Sequence, residues 1–134
     1  MTFIKLYFIS LATFFLMDLL WLGVIAKNLY KSEIGHLMAS EFKVIPAIIF
    51  YLIYIAGLVF FAVLPNISAQ SIKAAILYGA LFGFVAYATY DFTNYATLKD
   101  WPLKIVVIDL LWGAFISGLT AGACFSIGLY WKII

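Results

Sequence analysis

Charge is what this chain has least of. Only a tenth of its 134 residues are Asp, Glu, Lys or Arg, and the net charge is +2. All eight basic residues are lysines, so no guanidinium is available to clamp a phosphate or carboxylate in two-pronged fashion. So small a positive excess gives no footing for nucleic acid. A single cysteine, Cys124, excludes an intrachain disulfide and a multi-thiolate metal centre. Within an apolar run it reads as a small packing residue. A single histidine, His36, excludes a multi-histidine metal site or a bis-histidine haem. No serine lies in a nucleophile-elbow pattern and no Cys–His pairing is evident. No metal or other cofactor is implied.

What the chain has in abundance is apolar surface. Two thirds of the residues are hydrophobic and about a fifth are aromatic. A soluble domain of this size could not hide so much. The reading is an all-α integral membrane four-helix bundle, a single domain over residues 1–134, whose outer faces are solvated by the lipid bilayer. Hydropathy windows place spans at about 3–25, 44–64, 74–91 and 105–131, each near the length needed to cross hydrocarbon. Lipid cannot satisfy backbone amides, and no barrel-type alternation is present, so each span should be helical. The first is too long for a signal peptide and is interrupted by Asp18, so it reads as a retained span.

The link at 65–71 is short and makes the second and third helices antiparallel neighbours. The link at 27–43 is longer. Its apolar residues Tyr30, Ile34, Leu37, Met38 and Phe42 fall at helical spacing, which suits an amphipathic helix at the interface. Gly35 weakens that pattern, and a solvated loop is the alternative. With the N-terminus on side A, four spans leave Lys27, Lys31, Lys43, Lys99 and Lys104 on side B. The excess of lysine leans towards a cytoplasmic side B.

Two stretches repeat one word: MDLLWLG at 17–23 and IDLLWG at 108–113. A carboxylate at the centre of a spanning helix costs about 2.5–3.5 kcal/mol on insertion scales, so it should face the bundle. The first and fourth helices run in opposite directions, yet both aspartates, Asp18 and Asp109, fall in the side-B half, as does Asp91 at the expected end of the third helix. On that helix Ala75, Gly79, Gly83, Tyr87 and Asp91 are spaced by four, and the glycines permit close approach. On the fourth, Asp109, Gly113, Ser117, Thr120 and Cys124 make a smooth, mildly polar face. Tyr51 and Tyr54 enter from side B at the depth of Asp18.

The expectation is a wet or hydrogen-bonded cavity open to side B. Its walls would be Asp18, Tyr51, Tyr54, Tyr87, Asp91 and Asp109, with Trp21 and Trp112 as aromatic walls and Asn94 and His36 at the mouth. Close approach of Asp18 and Asp109 would let them share a proton. The plainer alternative for Asp18 is an interhelical hydrogen bond, to Tyr51 or Tyr54 for instance, and for Asp91 simple helix termination. Trp101-Pro102 reads as an interfacial anchor for the fourth helix.

The segment AYATYDFTNYATLKDWPLKIVVIDLLWG at 86–113 resembles the signature of an uncharacterised bacterial family, the predicted membrane proteins with domain of unknown function 2177. The likeness continues through FLMDLLWLGVIAKNLYKSEIGHLM and FYLIYIAGLVFFAVLP, so it covers essentially the whole chain. It rests on Asp18, Trp21, Gly35, His36, Tyr90, Asp91, Thr93, Asn94, Thr97, Leu98, Trp101, Pro102, Asp109 and Trp112. Tyr95 departs from the aliphatic residue expected there. The resemblance implies a small multi-pass protein of the bacterial inner membrane and supplies no reaction.

Three function classes follow from the residues. The first is a proton-coupled transporter or binding protein for a cation or an amphiphilic small molecule. Four helices offer little wall, so this version expects a homodimer, with Ala114, Gly118 and Gly122 as the contact. The second is a membrane-embedded enzyme acting on a lipid or isoprenoid, with the aspartates as acid and base groups or metal ligands. The third is a non-catalytic accessory subunit whose polar seam only orders helices.

Overall fold

The computed structural model describes residues 1–134 and contains helices and turns with no strand. Helix α1 (Thr2–Leu20) is prolonged by a π-helical turn, Trp21–Ile25. A short helix, α2 (Lys27–Ile34), follows at once. Helix α3 (Val44–Leu58) continues through a π-helical turn, Val59–Val63, and a 3-10 turn, Leu64–Asn66. Helices α4 (Ile72–Thr97) and α5 (Leu103–Tyr130) complete the chain. Four stretches are long and apolar enough to cross a membrane: Thr2–Ile25, Val44–Asn66, Ile72–Thr97 and Leu103–Tyr130. Only 31 of 134 residues are buried, and Phe8, Leu16, Ile53, Leu77 and Leu111 are among the large apolar side chains left exposed. In water such a surface would aggregate; in a bilayer it is the solvated face.

Helix α5 is the axis of the bundle. Its most apolar window is 61% buried, against 17–33% for the other three spans. The face expected from its small and polar residues is the inward one: Asp109, Gly113, Ser117, Thr120 and Cys124 are all buried. Helix α4 meets it with Ala75, Gly79, Gly83 and Asp91, the expected row of every fourth residue. A methyl group placed on Gly83 would lie 2.0 Å from the Gly113 carbonyl oxygen, and one on Gly79 would lie 2.7 Å from the Ser117 carbonyl oxygen. The two backbones therefore touch, which no other residue would allow.

Of the expected contact with a second copy, Ala114, Gly118 and Gly122, the two glycines also pack against α4, and all three line an open groove on the flank of α4 and α5. A methyl on Gly118 would lie 3.1 Å from the Ile76 carbonyl oxygen, and one on Gly122 would lie 2.7 Å from Ile76 Cγ1. Small residues recur on two sides of α5 because α4 wraps closely enough to use both.

Helix α1 buries the row Leu6, Ser10, Phe14 and Asp18. Two hydrogen bonds fix its antiparallel register on α5. Cys124 Sγ donates to the Leu6 carbonyl at 3.3 Å, and Trp112 Nε1 donates to Asp18 at 3.3 Å. Each residue up α1 is thus matched by one residue down α5, so Ser10 comes level with Thr120, and Trp21 with Asp109.

Two boundaries differ from expectation. Asp91 does not end the third span; α4 runs six residues further, to Thr97. Hydropathy falls at Asp91, but the interfacial residues Thr93, Asn94 and Tyr95 keep the amide ladder intact. The interfacial segment is helical only over Lys27–Ile34, with a 3-10 turn at Gly35–Leu37 and non-helical chain beyond. Tyr30 and Ile34 pack inward, whereas Leu37, Met38 and Phe42 are exposed. Gly35 marks where the helix gives way.

Candidate functional site

Asp18 and Asp109 each find a tryptophan level with them on the opposite helix, because the same word is read in two directions. Trp112 Nε1 donates to Asp18 Oδ1 at 3.3 Å, and Tyr51 donates its hydroxyl proton to Asp18 Oδ2. On the other arm, Trp21 Nε1 donates to the Tyr30 hydroxyl oxygen at 3.1 Å, and Tyr30 donates in turn to Asp109 Oδ1. The indoles of Trp21 and Trp112 stack between these arms, with centroids 4.3 Å apart and planes 8° from parallel. The duplicated tetrapeptide therefore builds a local pseudo-two-fold: each tryptophan serves the other helix's aspartate, one directly and one through a phenol.

Asp18 and Asp109 are about one helical turn apart along the axis, roughly 4.5 Å. The carboxyl that faces Asp109 is that of Asp91 rather than that of Asp18. Asp91 is wholly buried, and neither of its oxygens has a hydrogen-bond partner. Beside it lies Trp101, buried, with Nε1 equally unpartnered. Trp101, expected to anchor the start of the fourth helix, is covered by protein and stands edge-on to Tyr90 at 5.8 Å. Buried polar atoms without partners are rare and costly. Three of them share one corner here.

The remaining expected residues divide. Tyr54 donates to or accepts from Ser117 Oγ at 2.7 Å, one turn deeper than Asp18. Tyr87 packs against Gly113 and stands edge-on to Tyr54 at 6.2 Å. Asn94 lies one turn beyond Asp91 and is half-buried. His36 is on the outer surface, its Nε2 3.9 Å from Asp100, away from the carboxyls.

The open cavity expected at the acids is replaced by a closed cluster: Asp18 is 6% exposed and Asp109 is 5% exposed. Stacked indoles fill the space that a cavity would need. Two grooves, of about 470 and 640 Å³, open on other parts of the bundle. One is lined by Phe61, Tyr78, Leu81, Phe82, Val85 and Ala86, the other by the outer flanks of α4 and α5, and neither includes an aspartate.

Tyr30 is the residue that sequence reasoning missed as a site residue. Its spacing puts it on the apolar face of the amphipathic segment, and its ring does pack there, with Leu29 and Ile34 against Trp101, Ile105, Val106 and Leu110. Its hydroxyl, however, reaches Asp109, 79 residues away. Burial, then the Asp109 hydrogen bond and the Asp109 charge, hold the Tyr30 phenol well above the ordinary tyrosine range. Helix α2 is thus a lid over the side-B end of the cluster, latched outside by Lys104 and Glu33 at 2.9 Å. No trio of His, Cys, Asp or Glu is arranged to hold a metal ion.

Fold and site together define a multi-pass, all-α membrane protein with three lipid-shielded carboxyls at one end of the bundle. The chain belongs to the family described as Predicted membrane protein (DUF2177), whose model matches residues 3–126. No curated protein and no solved structure matches it.

Proposed function

We propose that this chain is a proton-coupled transporter or binding protein for a cation or an amphiphilic small molecule, working in a bacterial inner membrane. The observation that carries the reading is Asp91: fully buried, bare at both oxygens, and facing Asp109. Two carboxylates in such contact repel each other and have lost their water, so the pair is stable only with a shared proton or a bound cation between them. A site that must hold one positive charge, and can hold either kind, exchanges one for the other. The arrangement of Tyr30 over Asp109 gives that exchange an entrance from side B, the side towards which the lysine excess leans as cytoplasmic.

The other readings explain less. An accessory subunit with a purely structural polar seam accounts for Asp18, whose two oxygens both accept hydrogen bonds. It gives no reason for Asp91. An enzyme acting on a lipid or isoprenoid would place an acid at the head of an apolar groove, and both grooves described are without one. Four helices so tightly packed leave no wall for a large cargo, so cargo movement calls for a second copy of the chain.

The test is reconstitution in liposomes containing a trapped pH-sensitive dye, with a potassium diffusion potential and with ethidium as an amphiphilic cation probe. Wild-type protein should admit protons under voltage and link that movement to ethidium. Asp91→Asn, with its helicity unchanged by circular dichroism, should lose both. Wild-type proton movement in Asp91→Asn would overturn the reading.

A further inference from the structure

Several hydroxyl side chains inside these helices share one habit. Thr13, Thr89, Thr97 and Ser126 each donate to the carbonyl four residues earlier, at 2.7–2.9 Å. That is the ordinary way for such a side chain to be satisfied within a helix. Ser10 and Thr120 do not do this. Both are 0% exposed, and neither oxygen has any hydrogen-bond partner. For Ser10 the reason is visible: the Leu6 carbonyl it would use already accepts Cys124 Sγ.

Ser10 and Thr120 share one level of the bundle. The register set by Leu6–Cys124 and Asp18–Trp112 brings Ser10 level with Thr120 on the facing helix. Ser10 Oγ also lies beside Cys124 Sγ, one turn along α5 from Thr120, so the Ser10 hydroxyl is directed at α5. One turn towards side B, Tyr54 is joined to Ser117. Phe14, one turn from Ser10 on α1, and Phe125, next to Cys124 on α5, are wholly buried in the same core.

We infer that Ser10 and Thr120 hold one trapped water molecule between α1 and α5, and that this water is a relay station for the proton handled by the acid cluster. A water offers two donors and two acceptors, enough to satisfy both hydroxyls and leave two bonds free. With the Tyr54–Ser117 pair above it, it extends the hydrogen-bonding seam from Asp18 about 12 Å deeper into the bundle, eight residues along α1. In each hop the water takes up one proton on one side and releases one on the other, so no charge stays at mid-membrane. The water-binding part stands on the packing alone; the relay part rests on the proposed function.

The test is a double-mutant cycle. Ser10→Ala and Thr120→Val each strand one partner and the water, and each should lower the thermal midpoint in detergent by about 4–8 °C. The double variant removes every polar group at once and should lose less than the two losses added together. Strictly additive losses would overturn the inference. In the liposome assay the double variant should pass protons more slowly than wild type under the same voltage. Wild-type proton movement in the double variant, while Asp91→Asn has lost it, would reject the relay and leave the acid reading standing. Were Asp91→Asn itself still active, the proposed function would fall, and the stability cycle would still decide the water.

Discussion

Asp18 and Asp91 are both buried carboxyls, yet their surroundings ask for different chemistry. Asp18 is held by two donors, so removing one of them exposes the cost of the bond. Trp112→Phe should destabilise the protein by about 1–3 kcal/mol, measured by thermal or denaturant unfolding in detergent. Asp91 makes no formed hydrogen bond that could be lost, although Trp101 Nε1 lies beside it. Asp91→Asn should therefore cost less stability than Asp18→Asn, while removing from the infrared spectrum the protonated-carboxyl band that the proposed function calls for. A spectrum identical to wild type would show that no proton resides on Asp91. Asp18 was legible in the sequence because a carboxylate inside a long apolar run has few innocent explanations. Asp91 was placed correctly on its helical face but wrongly at the helix end, since hydropathy registers the loss of apolar character and not the continuity of backbone bonds.

At the scale of elements, the tight pair α4–α5 and the lid α2 make opposite demands. The α4–α5 contact is backbone against backbone, so Gly83→Ala must push the helices apart. A loss of at least about 3 kcal/mol is expected, with Gly23→Ala as the control, since a methyl there meets nothing within 4 Å. Every-fourth-residue rows of small residues made this contact readable beforehand. The lid was only half readable. Its helical period showed, but hydrophobic patterning counts Tyr30 as an apolar residue and has no means of seeing the partner of its hydroxyl.

Lid docking carries a pH signature. The folded state holds the Tyr30 proton more tightly than the unfolded chain, whose phenol ionises near 10.0, as an ordinary tyrosine does. Above that pH the unfolded state gives up a proton that the folded state keeps, so stability contributed by Tyr30 is intact below about pH 10 and is lost as pH rises beyond it. Tyr30→Phe should flatten this alkaline limb in unfolding measured across pH. The Lys104–Glu33 latch is more than half exposed at the lysine and should matter far less than Tyr30.

Across the whole molecule, the duplicated Asp-Leu-Leu-Trp words behave as one device. Because each indole serves the opposite helix, the arms can be tested against each other. Trp21→Phe removes a donor to Tyr30 and half of the indole stack, so its effect and that of Trp112→Phe should be coupled, and their double variant should lose clearly less or more than the separate losses combined. The sequence showed that the words would lie at one end of the bundle. It could not show the crossing, which depends on the register of α1 against α5 and is fixed by contacts at Leu6 and Cys124, far from either word.

The near-symmetry of the two arms fails at one atom group, the Tyr30 phenol. An acid held by an indole from within the bundle can be reached only by prising spanning helices apart. An acid held by a phenol on a surface helix can be uncovered by lifting eight residues. Two aspartates that began as copies of one spelling thus differ in who can visit them: one is walled in, and the other has a door on a single membrane face.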